Sequence, residues 1–569
     1  YSGFTYTFND ILPNRLYKFT ELDLINGISH VITNKKLKRI KLFSKLENDL
    51  KIKHQPGFVD SSLFQSNINK ELFINEPILS VSGISDNKQI NEELVINSGR
   101  VPKISSAVDS EIIINNNEKG RIIDFFSFCY EKNVYLFELR SQNLIKTEQA
   151  SYINLYIVNS DNSSLKLINS FNIPGSINCF NWGVSKGNTQ NIDIILGGGH
   201  ILGHYPVGDK TYIIPFSLEK LQLILAEKQV VYTNRAINDI ILSDLDNDGV
   251  QELILAPEGD GIQVLSLINK NYTNISANFK LDHMVGNWNS LSSADINSDG
   301  LFDLVCGNWG SNNSIKKYQK LNYKLYFKRK GDTTDLYETY AIGEEDIFLK
   351  NLEEFKKIHP AYSLIYKSNA EFKDVSIQSL FQENINSINY TQFNTCILIN
   401  KGNRFESMEL DPQVNFLPTF GIDINDYNLD GRLDIFLCQG FYGAKGDTEP
   451  SYNNSGLFLF QDMNGYLEPV EGDILGISNN LYSLRTVISP DINGDNRPDI
   501  IIGDYGKAYA IHTNISNDNG IKLNLQGNDN ALVGLKARIR YLNGSLGPVY
   551  EYSPKQGFRS SKGRSFIFN

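Results

Sequence analysis

The chain is 569 residues long, 41% hydrophobic and 11% aromatic, with 43 glycines and a formal net charge of −11. That length points to several units of about 100–200 residues or to one large repeat fold. The acidic balance argues against nucleic acid and against an anionic membrane surface as partners, and the sequence has no run of about 18 apolar residues to form a transmembrane helix.

Strand candidates recur along the chain. Leu22–Gly27 is a first one. Pro77–Val81 leads to Leu94–Ile96, and Ser176–Phe180 leads through a polar loop to Ile192–Leu196 and three glycines. Ile237–Leu242 then runs into an acidic stretch, Asp244-Leu-Asp246-Asn-Asp248-Gly249-Val250-Gln-Glu252, followed at once by the apolar Leu253–Ala256. The same spacing returns as Asp295-Ile-Asn297-Ser-Asp299-Gly300-Leu301-Phe-Asp303, then as Asp426-Tyr-Asn428-Leu-Asp430-Gly431-Arg432-Leu-Asp434. Its last appearance is Asp491-Ile-Asn493-Gly-Asp495-Asn496-Arg497-Pro-Asp499, preceded by Leu484–Ile488 and followed by Ile500–Gly503. The repeating unit is therefore strand, acidic loop, strand.

Between the second and third loops the spacing widens. Phe348, Leu352, Phe355 and Ile358 share a helical face there and Pro360 ends the run, which predicts a short helical insertion at about 331–381. The other loop-to-loop steps suit one four-stranded blade each. The fold class expected is all-β: a seven- or eight-bladed β-propeller over 1–525, carrying that insertion, with a small β domain at 526–569.

The loops are expected to hold about four Ca2+ ions. Calcium takes six to eight oxygens, several of them charged. Side chains at the first, third, fifth and ninth positions can converge on one point: Asp244, Asp246, Asp248 and Glu252; Asp295, Asn297, Asp299 and Asp303; Asp426, Asn428, Asp430 and Asp434; Asp491, Asn493, Asp495 and Asp499. The seventh residue, Val250, Leu301, Arg432 or Arg497, would add its carbonyl. The sixth must turn sharply, which suits Gly249, Gly300 and Gly431 and is tolerated by Asn496. Four such ions would offset most of the net negative charge. By charge and turn chemistry, affinity should run highest at Asp244–Glu252 and lowest at Asp491–Asp499.

Other chemistry is sparse. The five cysteines, Cys129, Cys179, Cys306, Cys396 and Cys438, are too dispersed for a disulfide framework or a zinc pattern and read as buried free thiols. His200 and His204 stand four apart after Gly197–Gly199, at a strand end, with no following Glu, so the zinc-protease pattern fails. No P-loop, nucleophile elbow or Cys–His pairing is present. No catalytic residue and no organic cofactor is assigned.

The four loops resemble the FG-GAP, or VCBS, repeat of integrin-type β-propellers. Ala531-Leu-Val-Gly534-Leu-Lys-Ala537-Arg-Ile-Arg540, Gly547-Pro-Val-Tyr-Glu551 and Gly557-Phe-Arg-Ser560 are similar to the ASPIC/UnbV domain of cartilage acidic protein-like proteins, where Lys555 replaces a usual glycine and Ser561 a usual glutamine. That domain is expected to be truncated at Asn569. Asn400–Phe405 and Gly440–Gly443 resemble bacterial members of the group. The resemblance implies a calcium-stabilised extracellular or cell-surface propeller, periplasmic or on the outer membrane if bacterial. The function expected is adhesion or ligand binding, toward a protein or glycan. A structural subunit of a surface assembly and a polysaccharide-active enzyme are the alternatives.

Overall fold

The computed structural model describes residues 121–569 except 132, 143–149, 160–163, 186–189, 269–270, 312–320, 382–384, 441–454, 478–483, 492–493, 505–506, 513–519 and 562, and before residue 121 only the backbone of eight strands. The Leu22–Gly27 strand candidate, Asn493 and most of Gly440–Gly443 lie outside the described residues.

The architecture is all-β, with a few short helices. Among the described residues, and leaving aside the sheet of the insertion, seven sheets of four or five strands follow one another along the chain. Their first strands are Ser80–Ser85, Arg121–Tyr130, Ile177–Val184, Ile237–Ser243, Ser290–Ala294, Thr419–Asn425 and Thr486–Ile488. Each first strand packs beside the first strand of the next sheet, and Thr486–Ile488 packs back against Ser80–Ser85, closing a ring. The last sheet is completed by an early segment, Asn67–Phe73, paired to Lys507–His512. The ring is thus closed by hydrogen bonds between the two ends of the propeller sequence. This is a β-propeller.

Period-two alternation explains how the sheets stack, since neighbours in a strand face opposite sides. Ile194 packs into the core between the second and third sheets with Phe126, Trp182 and Phe216, whereas Ile195 packs into the next core with Ile240 and Leu255. Leu304 joins Ile254 and Trp288, while Val305 joins Ile422 and Ile435. Such strands are buried on both faces, so Leu253–Ala256 and Ile500–Ile502 read as unbroken apolar runs. Polar residues on the first strands tie neighbouring sheets together. Asp124 accepts from the Phe180 amide at 3.4 Å, Asn181 donates to the Ile240 carbonyl at 2.9 Å, and Asp239 accepts from the Leu291 amide at 2.9 Å.

The insertion is more than helical. Lys324–Lys330, Thr333–Ile342, Glu345–Phe348 and Asn386–Asn389 form a four-stranded antiparallel sheet. Phe348 ends a strand; the helix itself is Leu352–Ile358, capped by the Asn351 side chain accepting from the Glu354 amide at 3.0 Å. Leu352 and Phe355 bury against Tyr337, Phe348 and Phe372. The insertion leaves the fifth sheet between its second and third strands. It therefore lies on the face opposite the acidic loops, which join first strands to second.

Near the C-terminus, Ile521–Asn524 pairs with Ser565–Phe568, and Lys536–Arg540 pairs with Leu546–Glu551, around Leu525, Leu532, Tyr552, Phe566 and Phe568. The segment from Ser553 to Ser561 leaves this unit and runs down the central channel. Ser553 donates to the Leu242 carbonyl, and Lys555 to the Phe180 carbonyl. Gln556 reaches Ser293, the Gly557 amide donates to the Leu291 carbonyl, and Phe558 packs on Phe420. Ser560–Ser561 pairs in parallel with Val81–Ser82. The propeller's channel is filled by its own chain.

Candidate functional site

All four acidic loops have the same backbone logic. The first-position carboxylate accepts amides from further round the loop: Asp244 from Asp248 and Gly249, Asp295 from Gly300, Asp426 from Asp430 and Gly431, Asp491 from Gly494, Asp495 and Asn496. The fifth-position carboxylate accepts from the seventh-position amide in each: Val250 to Asp248, Leu301 to Asp299, Arg432 to Asp430, Arg497 to Asp495. The ninth-position carboxylate reaches back to the second-position amide, from Glu252 to Leu245, Asp303 to Ile296 and Asp434 to Tyr427. The sixth position is left-handed throughout, at φ +86° for Gly249, +96° for Gly300, +86° for Gly431 and +61° for Asn496. Only the last sits there with a side chain, which costs conformational energy.

The fourth position is left-handed too, at Asn247, Ser298, Leu429 and Gly494. The sequence reading missed this double turn. Its signal was weak, because only Gly494 and Asn247 are residues that favour the conformation.

The loops differ in what they leave over. In the first, one oxygen from each of Asp244, Asp246 and Glu252 lies within 4.8 Å of the others. Glu252 is fully buried, and its second oxygen, Oε1, has no hydrogen-bond partner. Asp248 is exposed and stands outside that group. In the second and third loops the ninth-position acid is engaged on both oxygens. Asp303 also accepts from the Asn400 amide at 2.8 Å, and Asp434 from the Gln461 amide at 3.0 Å. Asn297 and Asn428 each donate to the fifth-position carboxylate, Asp299 or Asp430. Arg432 pairs with Asp430 through its own side chain.

Burial, with the neighbouring acids, pushes three of the loop carboxyls far upward: Glu252 to about 8, and Asp303 and Asp426 to about 7. Two buried carboxylates, Asp244 and Glu252, held this close to the exposed Asp246 are a donor set for a hard divalent cation. The three converging oxygens, with an unpartnered oxygen on Glu252, fit one.

The C-terminal unit lies over these loops and brings cations to them. Lys536 donates to Asp244 Oδ2 at 2.7 Å and to Asn247 Oδ1 at 2.8 Å. Two residues along the same strand face, Arg538 donates to the Ser298 carbonyl at 2.6 Å. Lys522 donates to Asp491 Oδ2 at 3.2 Å, and the Val549 amide to Asp295 Oδ2 at 2.8 Å. Glu551 accepts from Ser243 Oγ at 3.1 Å. None of these was foreseen. The alternation Lys536-x-Arg538-x-Arg540 was the available signal, since it sets cations on one face of a strand.

The residues set aside for other chemistry stay apart. His200 pairs with Glu258 at 2.9 Å, while His204 is buried beside Thr334 of the insertion. All five cysteines are buried free thiols, with Cys306 and Cys396 directly opposite on neighbouring strands.

No family model and no curated protein sequence matches the chain. Solved structures that resemble it include Saccharomyces cerevisiae Sqt1, at 11% identity and TM-score 0.40 over 79% of this chain and 100% of that one. BBS1N, crystallised in complex with ARL6DN, gives 8% and 0.39 over 79% and 97%, and the WD40 domain of SCAP from fission yeast 10% and 0.33 over 79% and 99%. The fold assignment itself rests on the sheet order and the closed ring.

Proposed function

We propose that the chain is a calcium-binding, extracellular or surface-exposed propeller that serves as a binding module for a protein or glycan partner. The convergence of Asp244, Asp246 and Glu252, with one buried Glu252 oxygen left unpartnered, is the observation that carries the calcium reading. Buried oxygens without partners are costly, and a divalent ion would satisfy them. The repeated loop geometry extends the reading to the loops at Asp295, Asp426 and Asp491, and the resemblance to FG-GAP repeats supports it. Bound Ca2+ supplies the positive charge that lets these acids stay ionised together.

The role of the ion is structural. Each loop joins the first two strands of a sheet, so an ion there fastens the rim of the channel. Extracellular modules bind calcium at roughly 10⁻⁴–10⁻³ M, which suits a compartment rich in it. The filled channel favours a binding role over catalysis at the propeller centre, because two of its charged groups, Lys555 and Asp124, are already paired to each other. The loop face carries the chain's own C-terminal unit, so we place the partner surface on the opposite face, where the insertion lies.

Chelator-washed protein should take up calcium on titration and melt at higher temperature with it. At one hundred times Kd, each filled site adds about 2.7 kcal/mol. Glu252→Gln should remove the tightest site while leaving others. Elemental analysis showing no calcium, together with superimposable melts with and without EDTA, would defeat the proposal.

A further inference from the structure

We propose that Lys536 is a tethered competitor for calcium at the Asp244 loop, so that metal loading there and docking of the strand Lys536–Arg540 oppose each other. The inference rests on the calcium reading above and adds its regulation by the chain's own C-terminal unit.

The ammonium has a built seat. It contacts Asp244 Oδ2 and Asn247 Oδ1, and lies 5.2 Å from the centre of the Phe302 ring, a residue of the next loop. Asp244 is fully buried on its side chain and stands at the first position of the loop, where a metal would draw on the same carboxylate. A monovalent and a divalent cation sharing one carboxylate repel each other, and in a partly buried site that repulsion is weakly screened. A second acid lies near the seat. Glu551 is the register partner of Lys536 across the hairpin, and its Oε2 lies within reach of the Asp244 amide. Lys536 therefore neutralises Asp244, with Glu551 of its own unit close by, until a divalent ion replaces it.

Of the neighbouring cations, one repeats this contact and one does not. Arg538 meets the second loop at the Ser298 carbonyl and not at a carboxylate. Lys522 does reach Asp491, but in the loop whose sixth position is Asn496. The loop with the most acids thus carries a displaceable ammonium, as does the loop at Asp491. Linkage makes the effect reciprocal: whatever Lys536 takes from calcium affinity, calcium takes from the docking of Lys536.

The test compares the parent protein with Lys536→Met and Lys536→Arg. Calcium is titrated by calorimetry, and hydrogen exchange is followed at the amides of 536–540. Lys536→Met should tighten one calcium site by about tenfold, with stoichiometry unchanged, as expected for losing one charge-assisted contact. Lys536→Arg should bind like the parent. In the parent, calcium should speed exchange at 536–540; in Lys536→Met this calcium-dependent change should vanish. Equal isotherms for parent and Lys536→Met, or slower exchange at 536–540 on adding calcium, would overturn the competition while leaving the calcium sites standing. Absence of calcium uptake by all three proteins would instead sink the calcium reading and this inference with it. The exchange measurement on the parent decides the matter even if the methionine variant does not fold.

Discussion

Lys555→Met is expected to destabilise the protein by about 3–5 kcal/mol, the cost of leaving a buried charge without its partner. Lys555 is 2% exposed and Asp124 fully buried, and the two form an ion pair inside the channel. The ammonium also donates to the Phe180 carbonyl at 3.0 Å. A second buried acid depends on it: Asp239, on the first strand of the fourth sheet, is pushed up to about 7 by burial, against the pull of Lys555. Methionine keeps the volume of the stem but supplies no charge. The double change Lys555→Met with Asp124→Asn should recover much of the loss, because no charge is then stranded. Denaturant midpoints measure this, and limited proteolysis at Ser553–Ser561 reports whether the plug has left the channel. A Lys555→Met protein with the parent's midpoint would show that the channel pair carries no stability.

That pair also marks where the sequence was readable and where it was not. The strand–loop–strand units at Asp244, Asp295, Asp426 and Asp491 were legible because two local signals coincide there: alternate acids around a turn residue, and an apolar run buried on both faces. The sixth-position turn follows from Gly249, Gly300 and Gly431 alone. Ring closure by Asn67–Phe73 was not legible, since pairing with Lys507–His512 spans most of the chain and leaves no local mark. The same holds for Lys555. As a departure from the ASPIC/UnbV pattern it was visible, but its partner Asp124 lies 431 residues away. The insertion's sheet was missed because Thr333–Ile342 shows no regular period-two alternation, although Gly331 and Gly343 frame it as turns, whereas Leu352 and Phe355 announced a helix.

In the acidic loops, legibility ended at the identity of the ligands. Spacing named the donor residues, yet the four loops are unequal in ways that spacing does not carry. Glu252 is one methylene longer than the aspartates in its position, and only there is the second oxygen left without a partner. The C-terminal unit adds Lys536, Lys522 and Glu551 to two of the four loops from a distance in sequence of more than 30 residues in the nearer case. Those additions shape the electrostatics of these two loops, and they arise from docking of one folded unit on another.

The stabilisation by calcium should itself depend steeply on pH, and its sign follows from the loop acids. Without metal, Glu252 is raised to about 8 and Asp303 and Asp426 to about 7, chiefly by burial, whereas in an unfolded chain such groups titrate near 4. The folded protein then holds protons that the unfolded chain has released. A carboxyl raised in this way contributes stability that is fully present below pH of about 4 and is lost as pH rises through its folded value. Metal-free protein should therefore weaken between pH 5 and pH 8, by roughly 1.4 kcal/mol per pH unit for each group inside its window. Calcium requires the same carboxyls ionised, so it expels those protons and removes the penalty. The gap between melting curves with calcium and with EDTA should be small at pH 5 and widest at pH 8. Asp239 in the channel titrates in both states of the loops and so cancels from that difference. Calorimetric titrations in buffers of different ionisation enthalpy should show proton release on binding at pH 7. A gap that stays constant from pH 5 to pH 8, with no proton release, would mean that the loop acids are already ionised before the ion arrives.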